Sequence, residues 1–151
     1  MTETKSPASG SAAPNAPVPP PAPLIDADSL GFWEAAREGR IALCRCTACG
    51  TWLGRPLERC SACGEPTTFQ DVSGAGTIYT YITVHRPTIP AFAALVPYVV
   101  AIVEFDEGPR LPGILLGERG PGVAIGQRVQ GELIEVPGAA QPTLAFRRQP
   151  A

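Results

Sequence analysis

Cys46-Thr47-Ala48-Cys49-Gly50 and Cys60-Ser61-Ala62-Cys63-Gly64 are two copies of one short unit, separated by the ten residues from Gly50 to Arg59. Two residues between paired cysteines let both sulfurs of a turn face one ion while backbone amides donate to them. The glycine after each pair supplies the left-handed conformation that closes the turn. Four thiolates then surround one tetrahedral metal, the pattern of a structural zinc ribbon with Cys46, Cys49, Cys60 and Cys63 as ligands. A closed shell of sulfurs leaves no position for an activated water, so this zinc holds a fold together and performs no hydrolysis. Iron in a rubredoxin-like site and a metal-free pair of redox motifs are the competing readings, and the glycine-closed duplication favours the metal. A ribbon of about two dozen residues cannot bury enough apolar area to fold alone, whereas ligation of this kind contributes on the order of 10 kcal/mol or more. Cys44, the fifth cysteine, reads as a small buried apolar residue.

Working outward, the period changes on either side of the knuckles. Downstream, Gly76-Thr77-Ile78-Tyr79-Thr80-Tyr81-Ile82-Thr83-Val84 alternates as a strand, with Ile78, Ile82 and Val84 expected on one face and Tyr79 and Tyr81 on the other. Tyr98 to Phe105 is apolar on both faces, Asp106-Glu107-Gly108-Pro109 makes a turn, and Arg110 to Leu116 returns as a hairpin partner with Pro112 at an edge or bulge. Gly126 to Val136 and Thr143 to Arg147 bring the count to five, which suits a small OB-fold barrel. Upstream, Asp28 to Gly39 opens on capping side chains and ends on a glycine, as a short helix does. A helix this short needs a surface for Leu30, Phe32 and Trp33, either the chain's own core or a partner. The stretch before it is rich in Pro, Ala and Ser, with Pro19, Pro20 and Pro21 consecutive, and has too few apolar side chains to offset the entropy of ordering. The expected organisation is a mainly β protein: a disordered leader over 1–25, an N-terminal helix over 26–40, a rubredoxin-like zinc ribbon over 41–70 and a five-stranded OB-fold barrel over 71–148.

Composition excludes several function classes. The chain has 151 residues, 44% hydrophobic, and a formal net charge of -2, so no positive field gathers phosphate backbones or anionic lipid. The longest apolar stretch, Phe92 to Val103, is too short to span a bilayer and is broken by Pro97, so no membrane association is expected. The N-terminus lacks the apolar segment of a signal peptide, and paired cysteines of this spacing suit a reducing compartment, which points to the cytoplasm. His85 is the sole histidine and stands in no nucleophile motif, and neither a phosphate loop nor a paired-carboxylate signature is present, so no catalytic residue is assigned. A nucleic-acid-binding ribbon and barrel, with Tyr79 and Tyr81 stacking bases, is the alternative. It needs clustered Arg and Lys, and here only Arg147 and Arg148 are adjacent.

The succession of parts carries a resemblance. The Phe32-Trp33-Glu34 helix ending Arg37-Glu38-Gly39-Arg40, the four-cysteine ribbon, Ser73-Gly74-Ala75-Gly76-Thr77 and Asp106-Glu107-Gly108-Pro109-Arg110-Leu111 together resemble the acyl-CoA-associated zinc-ribbon and OB-fold family, long catalogued as a domain of unknown function. The resemblance covers residues 28–148; Cys44 and Ala75 depart from the family pattern, and so does the proline-rich leader. It implies a non-catalytic accessory subunit of a thiolase-superfamily enzyme, whether a thiolase, an acyl-CoA synthase or a lipid-transfer-protein-like aldolase. Such a subunit docks on the enzyme and helps form an acyl-CoA channel, in lipid or sterol side-chain metabolism, and a hotdog-fold hydratase is a further candidate partner. On this reading Leu30, Phe32, Trp33, Ile89 and Phe92 are the expected docking residues and Arg86 the expected contact to acyl-CoA.

Overall fold

The computed structural model describes residues 18–150. Its elements are helix α1 (Leu30–Arg37), β1 (Ala42–Cys46), β2 (Trp52–Leu53), β3 (Thr67–Asp71), β4 (Ala75–Val84), a 3-10 turn (Pro90–Leu95), β5 (Tyr98–Phe105), β6 (Arg110–Leu115), β7 (Arg128–Ile134) and β8 (Thr143–Arg148). The first three strands form an antiparallel ribbon in the order β2-β1-β3, and the last five close into a barrel in the order β4-β5-β6-β8-β7. Closure runs through β4 and β7, antiparallel at Ala75 to Thr77, while β6 and β8 are parallel at Ile114 and Leu115 only. This five-stranded closed barrel after a four-cysteine ribbon is the expected architecture. Pro112 lies in the half of β6 that has no β8 neighbour, where a missing N–H breaks no ladder.

Two features of α1 differ from the expectation. The helix is shorter, because residues 27–29 form a turn, and Ser29 at its start makes no side-chain cap. Instead Asp26 Oδ1 accepts both the Ser29 amide at 2.8 Å and its hydroxyl at 2.6 Å, which fixes the approach to the helix one turn earlier. The other end closes as read: Gly39 N–H donates to Ala36 O at 3.0 Å and Arg40 N–H to Ala35 O at 2.9 Å. The buried residues of α1 are Ala35 and Ala36. Gly31 lies against the Phe69 ring of the ribbon so closely that any Cβ would overlap it.

Ribbon and barrel share one core. Phe105 and Phe146 meet edge to face at 5.9 Å between ring centroids, with Ile78, Val103 and Val129 around them, and Leu43 of β1 belongs to the same buried cluster. Ile41, Trp52 and Val72 pack against that cluster from the ribbon side.

The alternation expected along β4 holds to Ile78 and then inverts. Ile78 pairs with Val103 and Thr80 with Ile102, so Tyr79 is an extra residue in a β-bulge. One added residue moves every later side chain to the opposite face. Tyr81 therefore turns inward, packs on the core and donates its hydroxyl to Val123 O at 2.8 Å, while Ile82 is 62% exposed. Tyr79, 48% exposed, lies beneath the Arg110 guanidinium at 3.5 Å.

The expected leader reaches residue 25; residues 1–17 lie outside the described ones. Residues 18–25 carry no helix or strand, and Pro19 packs beside Gly138 in the loop between β7 and β8.

The bulge makes a direct prediction. In the metal-loaded chain Ile82→Thr changes unfolding free energy by no more than about 0.5 kcal/mol, whereas Ile78→Ala costs about 2–5 kcal/mol. Urea denaturation followed by circular dichroism measures both, and similar losses at the two positions would contradict the inversion.

Candidate metal centre and the surfaces around it

The ribbon brings its four knuckle cysteines to one point. The sulfurs of Cys46, Cys49, Cys60 and Cys63 all lie within 4.8 Å of one another. Cys46 and Cys63 are 3.5 Å apart, Cys49 and Cys63 3.5 Å, and Cys49 and Cys60 3.7 Å. Ligands at about 2.3 Å on a tetrahedral ion stand about 3.8 Å apart, and a disulfide would need about 2.05 Å. The spacing therefore fits metal ligation and excludes a disulfide in this arrangement. Each knuckle is shaped by its own backbone: Ala48 and Cys49 N–H each approach Cys46 Sγ at 3.4 Å, and Ala62 N–H approaches Cys60 Sγ at 3.4 Å. Gly50 and Gly64 take φ of 72° and 78°, the left-handed turn closure that a side chain would strain.

The thiols do not behave alike. The Thr51 hydroxyl, 3.2 Å from Cys49 Sγ, and the Thr51 amide draw that thiol down from 9.0 to about 6. The Cys49 and Ala48 amides lower Cys46. At Cys63 the Glu65 amide also favours the thiolate, yet the neighbouring sulfurs of Cys46 and Cys49 and the loss of solvation outweigh it and push the group up to about 12. Four negative sulfurs at these distances cannot coexist without a cation, so the same geometry that prepares a thiolate at Cys49 requires a metal to release the proton of Cys63. The cluster has the composition and spacing that suit one metal ion. Cys44 stands apart from it: buried at the pairing position of Leu53 and Phe69, with Sγ 3.6 Å from Leu57 O, it is the buried small residue the sequence suggested.

The other expected positions divide into two groups. Trp33 and Phe92 come together as walls of an apolar groove of about 650 Å³ whose floor includes Ile114, Leu116 and Ile134. Phe32 packs edge to face on Trp33 at 5.1 Å, and Phe92 lies 6.4 Å from Tyr98, so the aromatic residues expected to dock are also engaged within the fold. Leu30, 42% exposed, and Ile89, 37% exposed, remain at the surface outside the groove. Arg86 is exposed on the bend before the 3-10 turn and makes no ion pair or side-chain hydrogen bond among the described residues. Sequence reasoning missed Tyr98 and the prolines as members of the groove. The prolines were unreadable as a wall because their packing partners lie more than a hundred residues away in the β7–β8 loop.

Most arginines are committed inside the fold. Arg128 makes a two-point contact with Asp106 at 2.6 and 2.7 Å, Arg147 pairs with Glu132 at 2.8 Å, Arg148 with Glu118 at 2.6 Å and Arg110 with Glu104 at 2.6 Å. Arg40 bridges Glu38 and Asp71. The exposed pairs among them contribute little to stability, but among the described residues they and Arg148–Glu118 occupy five arginines, and with Tyr81 turned into the core the base-stacking pair loses one of its members.

Comparison with known proteins places these observations in a family. Residues 33–68 match the family model described as ChsH2, rubredoxin-like zinc ribbon domain, and residues 69–133 the model described as ChsH2, C-terminal OB-fold domain. The solved structure of an Ltp2-ChsH2(DUF35) aldolase contains a chain 36% identical to this one, with a TM-score of 0.75 over 83% of this chain and 98% of that one. A probable enoyl-CoA hydratase alpha subunit of Thermomonospora curvata is 41% identical over 98 residues, covering 64% of this chain and 30% of the relative. A DUF35 domain-containing scaffold protein of Methanocaldococcus jannaschii is 41% identical over 71 residues, covering 46% of this chain and 50% of the relative. The chain thus spans 30% to 50% of the length of these curated relatives.

The metal site predicts its own chemistry. Protein purified without added metal contains one ion per chain by elemental analysis, and Cys60→Ser loses most of that metal together with the β-signal of the ribbon. Cys44→Ser keeps the full metal content, because a hydroxyl there finds Leu57 O as its acceptor. A folded wild-type chain without metal would refute the assignment.

Proposed function

This chain belongs to the ChsH2-type, DUF35 family of rubredoxin-like zinc ribbons joined to OB-folds, and on that premise we propose that it is a non-catalytic accessory subunit of a thiolase-superfamily enzyme, docking on it and helping to form a channel for acyl-CoA. The observation that carries this reading is the near-complete match to one chain of an aldolase assembly whose name pairs Ltp2 with ChsH2. In such a division of labour the partner holds the nucleophile, and this chain supplies a rigid surface. His85 sits exposed on a bend with no thiol, hydroxyl or carboxylate hydrogen-bonded to it among the described residues, and the four clustered thiols are committed to a closed metal shell.

The metal in this reading is zinc, which accepts a tetrahedral all-sulfur shell without redox chemistry and leaves no open position. The hydratase naming of one relative and the scaffold naming of another support acyl-CoA as the ligand class and a structural role for the ribbon and barrel. The family resemblance extends that class to lipid and sterol side chains and adds a hotdog-fold hydratase as a second candidate partner. No helix among the described residues is long and apolar enough to cross a membrane, and the cytoplasm is the location proposed for the assembly. Exposed Leu30 and Ile89 and the exposed Arg86 are the positions on this chain proposed to meet the enzyme and its acyl-CoA.

Co-expression with a thiolase-like protein from the same genome, followed by size-exclusion chromatography, tests the partner. Co-elution is expected, with Leu30→Asp weakening it about ten-fold or more at unchanged metal content. Separate elution with full activity of the enzyme alone would remove the accessory reading. The same preparation contains zinc and lacks the visible absorption of iron thiolates, and fluorescence anisotropy with single-stranded DNA or RNA shows no binding below about micromolar concentration at physiological salt.

A further inference from the structure

Val18-Pro19-Pro20-Pro21-Ala22-Pro23 precedes the first matched family region, and its shape is set before it touches anything. Proline fixes its own φ at about −65° and pushes the residue before it toward extended backbone. Val18, Pro19, Pro20 and Ala22 each stand before a proline, so the stretch adopts readily the left-handed polyproline helix, which repeats every three residues. Burial follows that period: Pro20 and Pro23 are half-buried, whereas Pro21 and Ala22 between them are exposed. The large aliphatic residues flanking the prolines face solvent instead, Val18 at 56% exposure and Leu24 at 90%. One face of a Pro-x-x-Pro turn, rather than general hydrophobicity, makes the contact.

The surface that receives this face is of the matching kind. Pro20 and Pro23 lie along the groove walled by Trp33, Phe92 and Tyr98, three aromatic residues supplied by the helix, the 3-10 turn and β5. Aromatic-lined grooves are the usual counterpart of polyproline, because a preformed helix docks on them with little loss of entropy. The far end of the segment meets Gly138 in the β7–β8 loop, where an added Cβ would stand 3.2 Å from Pro19 Cβ. At the near end Asp26 and Ser29 fix the approach to α1, so only Leu24 and Ile25 separate the prolines from a fixed point. Among the described residues no backbone hydrogen bond joins residues 18–25 to the rest of the chain. Ring contacts on a short tether hold the segment in place, yet it can leave without breaking any ladder.

We propose that the groove of Trp33, Phe92 and Tyr98 is a recognition site for a Pro-x-x-Pro segment in the polyproline conformation, and that Pro20-Pro21-Ala22-Pro23 of the same chain occupies it. The inference concerns this chain by itself and does not depend on the accessory-subunit reading. A proline-rich segment from elsewhere reaches the groove only by displacing the tethered one, whose effective concentration is about millimolar.

The test uses the full-length, metal-loaded chain, a double variant with Pro20→Gly and Pro23→Gly, and a synthetic peptide of residues 18–25. Trp33 and Trp52 are the two tryptophans, and Trp52 lies in the ribbon outside the groove. Acrylamide quenching of tryptophan emission rises in the double variant at unchanged metal content, whereas Pro21→Ala, on the outward face, stays near wild type. The peptide binds the double variant with a Kd of about 1 mM or tighter and reverses the rise. Wild type binds it about ten-fold more weakly or worse, because the tethered segment competes. A peptide with alanine in place of both prolines does not bind.

Unchanged quenching in the double variant, an equal rise in Pro21→Ala, or equal affinity of the peptide for wild type and variant would overturn the proposal. So would equal binding of the alanine peptide, or no binding of the proline peptide up to about 5 mM, above what a short tether supplies. If the shielding of wild-type Trp33 is lost on dilution from about 100 µM to about 1 µM, a second copy's segment fills the groove and the occupant assigned here is wrong. No enzyme partner enters the experiment, so its outcome is separate from that of co-elution.

Discussion

Four sulfurs within 4.8 Å of one another repel as thiolates and bind as ligands, and a cation held among them resolves that conflict. Its three strands are short, β2 having two residues, and could not persist on hydrogen bonds alone. The metal holds the turn after β1 and the turn before β3 at a fixed separation. β1 thereby presents Leu43 to the barrel and Phe69 of β3 comes against Gly31 of the helix. The orientation of the helix, the ribbon and the end of the barrel thus depends on one coordination sphere, even though none of the ligands touches the groove.

How much of this was legible in the sequence follows from how local each signal is. The knuckles are complete within five residues each, so ligands, turn glycines and closed shell could all be read directly. The five barrel strands were visible because alternation and turn residues are local, and their number already suited closure into a small OB-fold barrel. The face of Tyr81 and Ile82 was not legible, since a bulge is a property of a strand and its neighbour together and Tyr79 carries no mark of being the extra residue. The same holds for Ser29, which looked like a cap and instead bonds to Asp26. Of the site residues, Trp33 and Phe92 were singled out for aromatic character, but only the fold shows that they face one groove.

The arginine pairings give the barrel its surface character. Eleven arginines and fourteen acidic residues on a chain of net charge -2 leave little unbalanced field once Asp106, Glu104, Glu132 and Glu118 are occupied. A surface of this kind has no long-range steering toward polyanions, and recognition must come from shape and apolar contact at close range.

The order in which the strands pair also sets the order in which the molecule can be made. Cys46 and Cys63 are seventeen residues apart, whereas β4 must wait for β7, more than fifty residues later, and β7 and β6 both wait for β8. During synthesis the ribbon can capture its ion and fold while the barrel strands are still emerging, and the barrel then closes in a single late event against a finished template. A cell short of the metal would therefore accumulate chains whose barrel strands emerge with unpaired edges and no docked ribbon, so that metal supply sets the yield of folded protein rather than its activity.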